Sequence, residues 1–395
     1  MNWFVFCYWF EPDAPDDPVG LVRIWTLADV LSRVGDRVTL FPPRYRSALV
    51  ARAATVIPIQ VLHLPLLRPL SYALLSFLHG LRSALVSRPD VVYYRWMDSP
   101  HALILAKLLG ARCVCEVNGE PVPDWSGRGA GLSRVVRRWL ACAALRRCDR
   151  VVVLTEGLRE LLVRRYRVPS ERIVVLPSGT DTQLFVPRDP VACRREVELP
   201  PDDLYVGFVG SFYRYQGLTC LLEAMAAIKA TCPQARLLLV GDGEAAAELK
   251  EQARRLGLTD AITWTGRIPY KQVPAYIGAM TVCVAPFRGD RGETSPVKLF
   301  DYLACARPVV ASAIPTVEAV FTSGSGVQLV PPDHPGQLAE ALLSLLNAPD
   351  RCVVMGAQGL RFVEHRFSWT SIIERLRGWL CTTEVAPHHA HSRVL

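Results

Sequence analysis

The segment GETSPVKLFDYLACARPVVAS (residues 292–312) concentrates groups that can bind an anionic, hydroxyl-rich ligand. Two carboxylates, Glu293 and Asp301, stand eight positions apart, and the ammonium of Lys298 lies between them. Ser295 followed by Pro296 signals a helix start, with the serine as N-cap and the proline at the first helical position. Val297, Leu299, Phe300 and Leu303 then supply an apolar face. A helix start offers unpaired backbone N–H groups and the positive end of a dipole, which suit phosphate. A carboxylate, with two acceptor oxygens, suits a pair of hydroxyls. The plainer alternative is a capped helix with a surface Lys298–Asp301 pair, three residues apart on one face.

Two more strand ends have the same look. YVGFVGSFYRYQGL sets Gly210, Ser211, Arg214, Gln216 and Gly217 in a loop that opens a helix. LLLVGDGE ends on Gly241, and Asp242 and Glu244 are expected to cap the helix that follows. Glycines at such turns permit close approach of a ligand, though any parallel-sheet protein has them.

These segments need a scaffold, and the rest of the chain supplies its pattern. Short β-rich runs alternate with helical stretches: NWFVFCYWF, RVTLF, TVIPIQVLHL, DVVYYR, RCVCEVN and RVVVLT in the first half, then LYVGFVG, ARLLLVG, AITWTG, TVCVAPF and PVVAS. Near-continuous apolar strands alternating with helices predict an α/β protein with parallel sheets covered on both faces. Two such series predict two doubly wound domains, joined near LPSGTDTQLFVPRDP, a segment rich in turn formers. The expected divisions are 1–177, 178–367, a helix over 368–382, and a disordered tail over 383–395. In open sheets of this kind ligands bind where strand C-termini meet helix starts. TVCVAPF ends just before the Glu293 segment, so that rule favours a ligand site there.

Bulk properties narrow the function. The formal net charge is +8, and half the residues are hydrophobic, as in an ordinary globular enzyme. The first 175 residues carry 24 Lys and Arg against 15 Asp and Glu, while the rest carry 21 against 22, so the positive excess lies wholly in the first half. An anionic partner or an acidic membrane surface would be drawn to it; no nucleic-acid partner is expected. The stretch GLSRVVRRWLACAALRRCDR is basic with one apolar face, fit to lie on anionic lipid or, alternatively, to pack on the sheet with solvated arginines. The 12 cysteines lack metal-site or disulfide spacing and read as reduced core residues. No apolar run reaches the roughly 18 residues of a membrane span. The expected location is cytoplasmic, including the inner face of the cell membrane. No D-x-D motif offers ligands for a metal-bound diphosphate, and no cofactor is expected.

Taken together, VLPSGTDTQLF, FVGSFYRYQGL, VGDGE, WTGRIPYKQVPAYIGAMTVCVAPF and ETSPVKLFDYLACARPVVAS resemble glycosyltransferase family 4, the retaining enzymes of the GT-B fold. LADVLSRVGDRVTLF and RPDVVYYR fit that family's acceptor domain more loosely. The resemblance implies two Rossmann-like domains facing across a cleft, the first for acceptor and the second for a nucleotide-sugar. It implies hexosyl transfer to a glycan or lipid-linked acceptor in cell-surface or exopolysaccharide synthesis, without a metal. Glu293 would bind donor sugar hydroxyls and Asp301 the ribose diol. The amides of Thr294, Ser295, Val297 and Lys298 would hold the diphosphate, and Gly266, Arg267 and Ile268 would lie by the base. Catalysis would then rest on positioning and on electrostatic stabilisation of the departing phosphate.

Several positions depart from the family pattern. The second acid is Asp301 rather than Glu, and Ser211 and Gln216 stand where Arg and Lys often reach the phosphates, leaving Arg214 or Lys298 to supply charge. Asn118 falls where many relatives place His; Gly20 is what remains of the N-terminal glycine loop, with Arg23 beside it on the acceptor side; Ala306 replaces a turn glycine. These departures leave open a non-catalytic binding or assembly partner with the same fold. A nicotinamide oxidoreductase is disfavoured, since no G-x-G-x-x-G joins an early strand to a helix.

Overall fold

The structure is a computed structural model that describes residues 1–8, 19–44, 54–62, 64, 67–122, 132–290 and 295–382. Glu293, Thr294 and the expected tail lie outside these residues. The apolar runs form two sheets, parallel throughout. The first joins β1 (Asn2–Phe6), β2 (Arg37–Phe41), β3 (Thr55–Val56), β4 (Val91–Arg95), β5 (Arg112–Val117), β6 (Arg150–Val153) and β7 (Ile173–Val175), in the order β3-β2-β1-β4-β5-β6-β7. The second joins β8 (Leu204–Val209), β9 (Ala235–Val240), β10 (Ile262–Gly266), β11 (Val282–Ala285), β12 (Val309–Ser312) and β13 (Val327–Val330), in the order β10-β9-β8-β11-β12-β13. Chain order therefore reverses between β1 and β4 and between β8 and β11, which opens a crevice at each C-terminal edge.

Helices cover both faces of each sheet, as near-continuous apolar strands require. In the first domain, helices Leu67–Val86, His101–Leu109, Leu132–Leu145 and Glu156–Tyr166 pack on one face around Phe6, Tyr94 and Val153. Helix Val19–Arg33 covers the other face, and so does the last helix, Trp369–Thr382, which returns from the second domain. The returning helix brings Arg377 Nε to 3.3 Å from Asp36 Oδ2 and sets Trp379 under the Arg150 guanidinium. In the second domain, helix Val297–Ala304 lies in the same core cluster as Val363 of helix Pro349–Arg366. Two glycines of that long helix fix how close it comes. A Cβ on Gly356 would sit 2.2 Å from the Ala306 carbonyl, and one on Gly359 would sit 2.4 Å from Leu303 Cδ2.

One strand differs from the sequence reading, and two further elements lie where the sequence reading placed none. TVIPIQVLHL contributes only the two residues of β3 and a bridge at Ile59, because Pro58 has no N–H for the ladder. β13, VQLV, is interrupted by Gln328 at the sheet edge, so it lacks the continuous apolar signal of its neighbours. Helix Pro335–Leu346 opens on Pro-Gly and is carried by Leu338, Leu342, Leu345 and Leu346, which it buries.

Candidate functional site

The loop after β8 and the helix after β11 meet at the reversal point of the second sheet. Gly210 leaves β8 with φ +141°, and the loop runs through a short turn, Arg214–Gln216, to Gly217 at φ +71°. That turn admits only glycine: a Cβ on Gly217 would lie 1.7 Å from the Pro286 carbonyl oxygen just beyond β11. On the other side Gly241 donates its N–H to the Gly266 carbonyl at 3.0 Å, so the ends of β8, β9 and β10 close together. Arg267 is exposed at that rim, whereas Ile268 packs into the core beneath it.

Helix Val297–Ala304 starts one residue later than its sequence suggests. Pro296 is the N-cap, and no side chain caps the first turn, so Ser295 lies before the cap instead of forming it. The surface Lys298–Asp301 pair is absent from the described ion pairs; each side chain reaches a different partner. Lys298 Nζ donates to Gln216 Oε1 at 2.7 Å, lies 3.7 Å from the Phe208 ring centroid and approaches the Cα side of Gly210. Ser211 and Arg214 behave otherwise. Ser211 is exposed, and Arg214 is 74% exposed and pairs with Glu248 at 3.0 Å. Of the two cations proposed for the phosphates, only Lys298 is directed into the space between loop and helix. Asp242 accepts from its neighbour Gly243 N at 2.8 Å and no side chain caps helix Ala246–Arg255, so the expected capping by Asp242 or Glu244 does not occur.

Asp301 points to the domain junction. Thr180 Oγ1 donates to Asp301 Oδ1 at 2.6 Å across 121 positions of chain. Thr180 is itself pinned to the returning segment, donating its N–H to Phe367 O at 2.8 Å and accepting from Trp369 N at 3.1 Å. Burial raises the Asp301 carboxyl to about 7; the Thr180 hydroxyl opposes that rise and the Asp181 charge adds to it. No cation neutralises the carboxyl among the described ion pairs.

A second buried acid sits in the first domain. Glu116, on β5, receives Arg23 Nε at 3.0 Å, Asn118 Nδ2 at 2.9 Å and the Tyr93 hydroxyl. Burial alone would raise its carboxyl, but the Arg23 charge and these donors outweigh it and hold it below the ordinary carboxylate range. Arg23 also donates to Ser178 Oγ at 3.0 Å and stacks on Trp369, so it ties β5 to the interdomain segment and to the returning helix. Gly20 lies one turn earlier on the same helix, Val19–Arg33. Sequence reasoning named Arg23 and Asn118 but missed Glu116, Tyr93, Ser178 and Thr180. Glu116 did leave a signal: a lone carboxylate inside the apolar run RCVCEV must find a partner when that run is buried. Shallow depressions lined by Gly324, Arg361 and Phe362, and by Gln328 and Gln337, include none of these residues.

Both halves of the chain match known families. Residues 22–184 match the family described as Glycosyltransferase Family 4, and residues 203–348 match Glycosyl transferases group 1. A D-inositol 3-phosphate glycosyltransferase of Segniliparus rotundus is 33% identical over 234 residues, 58% of this chain and 51% of that protein, so the chain spans about half of its length. A protein of the same description from Stackebrandtia nassauensis is 27% identical over 330 residues, 77% of this chain and 72% of that one. Among solved structures, sucrose-phosphate synthase from Thermosynechococcus elongatus superposes with a TM-score of 0.74 at 21% identity, covering 96% of this chain and 98% of that one. Anabaena HepE in complex with UDP superposes with a TM-score of 0.71 at 16% identity, covering 97% and 100%. These likenesses fix the fold.

Proposed function

Because the chain belongs to the GT4-like glycosyltransferases of GT-B fold, we propose that it moves a sugar from a nucleotide-sugar donor to a glycan or lipid-linked acceptor, with retention at the anomeric carbon. The observation that carries this reading is the convergence of Lys298, Gln216 and the Gly210 loop at the reversal point of the second sheet, with Asp301 one turn further along the same helix. Lys298 and the helix start take the diphosphate, and the uncompensated Asp301 takes the ribose diol. Glu293 takes the donor sugar, on the strength of its place before the helix in sequence. The departing diphosphate, stabilised by Lys298 and helix amides, assists deprotonation of the acceptor hydroxyl on the same face, so no metal is assigned a role. Gly266, Arg267 and Ile268 lie beside the base. Asn118, Gly20 and Arg23 border the acceptor side. The transfer is hexosyl, belongs to cell-surface or exopolysaccharide synthesis, and takes place in the cytoplasm or at the inner face of the membrane.

The test is thermal stabilisation of the purified protein by UDP, GDP and ADP, followed by donor turnover. One nucleotide stabilises the protein as mass action requires, Glu293→Ala abolishes transfer or donor hydrolysis, and Asp301→Ala weakens nucleotide binding. Stabilisation by none of the three would favour a non-catalytic partner, the reading that Ser211 and Gln216 motivate.

A further inference from the structure

Three neighbouring helices of the first domain turn the wrong residues outward. Helix Leu67–Val86 buries Tyr72, Ala73, Ser76, Gly80 and Ala84 against the sheet and exposes Leu67, Leu70, Leu74, Leu78 and Leu85 along its opposite side. An ordinary surface helix does not turn such a leucine stripe to solvent. Helix His101–Leu109, packed beside it, exposes Ile104 and Leu108. Helix Leu132–Leu145, on the same face of the sheet, exposes Val135, Val136, Leu140 and, at 68%, Trp139. Exposed apolar side chains on this scale, on three helices of one sheet face, mark an interaction site.

Charge identifies the occupant. The three helices contain no Asp or Glu and six cations: Arg68, Arg82, Lys107, Arg134, Arg137 and Arg138. The nearest acids lie at the borders, where Asp98 pairs with Arg137 and Asp149 with Lys107. A second copy seated on this face would bring no carboxylate from these helices against their cations. Leucines interleaved with arginines, and a tryptophan among them, suit the boundary between acyl chains and anionic headgroups. Helices of the second domain lack the pattern: Leu218–Thr231 buries Leu218, Leu221 and Leu222 and carries Glu223. Among the described residues no helix is long and apolar enough to cross a membrane.

We propose that the outer face formed by these three helices lies on the surface of an anionic lipid bilayer. The helices begin at the C-terminal ends of the strands, so bilayer contact sets the mouth of the first-domain crevice beside the lipid. This inference stands apart from the donor-site assignment. The full chain is floated with vesicles of phosphatidylcholine alone and of phosphatidylcholine with about one third phosphatidylglycerol. Binding at least about tenfold tighter to the anionic vesicles, and weaker as salt rises, is expected. Each exposed leucine embedded is worth about tenfold, so Leu74→Glu with Leu78→Glu lowers vesicle affinity by at least about that factor. Trp139→Glu, on a different helix, does the same. Thermal stabilisation by nucleoside diphosphate is unchanged in both variants, which separates this result from failure of the donor site. The proposal is overturned if neither vesicle is bound, or if binding is indifferent to all three substitutions. It is also overturned if light scattering finds a dimer that these substitutions dissociate, for then the face belongs to a second copy.

Discussion

Glu116 in the first domain and Asp301 in the second are both carboxylates removed from water, and they are kept in opposite ways. Glu116 has a guanidinium at 3.0 Å and further donors from Asn118 and Tyr93, and its carboxyl is held low. Asp301 has one hydroxyl, from Thr180, and its carboxyl is pushed up to about 7. A charge-compensated acid whose two oxygens are both engaged within the protein is a structural tie. A buried acid left without a cation costs stability, and such groups concentrate where a ligand completes the site. Under the proposed function, the difference separates an acid that ties β5 to the interdomain segment from an acid that a ligand completes.

Glu116→Gln tests the structural half and should have the largest effect. It leaves the Arg23 guanidinium without its charge partner, and breaking a buried pair from one side costs about 3–5 kcal/mol. Urea unfolding is expected to show a loss of this order, and the interdomain segment at Ser178 to loosen with it. A loss below about 1 kcal/mol would place Glu116 outside the load of the junction.

Asp301→Asn probes the other half, with the opposite sign. The folded carboxyl titrates near 7 against an ordinary value of 3.8, so its contribution is fully present below 3.8 and is lost as pH rises through 7. Each unit is worth about 1.36 kcal/mol, which makes a few kcal/mol an upper bound. Asn keeps an oxygen to accept from Thr180 and has no charge to desolvate. The variant is therefore expected to melt several degrees above wild type at pH 8, with the gap narrowing as pH falls towards 4, and to bind nucleotide more weakly. Equal melting temperatures across that range would mean that Asp301 is better solvated than its surroundings imply.

Lys298→Ala sharpens the contrast from the phosphate side. A loss of about tenfold to a hundredfold in nucleoside diphosphate affinity is expected, matching a charge-assisted contact of about 1.5–3 kcal/mol. The parent nucleoside should bind equally to both forms. Adding Gln216→Lys returns an ammonium to the same space and restores part of the affinity; no recovery would show that position 298, and not the space, is what matters. The smallest effect belongs to Ala306, whose φ of +53° an alanine adopts at some cost. Ala306→Gly is expected to gain about 0.5–1 kcal/mol by urea unfolding, without changing nucleotide affinity.

The two acids also differ in how much of them the sequence disclosed. Parallel-sheet strands are short, apolar and continuous, so the alternation that built both domains was legible residue by residue, as was the helix after TVCVAPF. What Asp301 and Lys298 touch was not. Thr180 is 121 positions from Asp301 and Gln216 is 82 from Lys298, and local periodicity carries no information about such pairings. The three-residue spacing pointed instead to a Lys298–Asp301 pair, which lost to two partners supplied by the tertiary fold. The apolar face of the first domain was legible in one helix only. Helix Leu67–Val86 reads as core from its leucines, and only burial reveals that its alanines and glycine face inward.

The central claim is that Asp301 is left uncompensated to receive the ribose diol. The most direct test is a cycle of binding constants, measured by calorimetry, for wild type and Asp301→Ala. Each is titrated with the preferred nucleoside diphosphate and with its 2′,3′-dideoxy analogue. The account expects wild type to lose about tenfold or more when the hydroxyls are removed, and Asp301→Ala to bind the two ligands equally. If Asp301→Ala discriminates between them as strongly as wild type does, the ribose is held elsewhere and the claim fails.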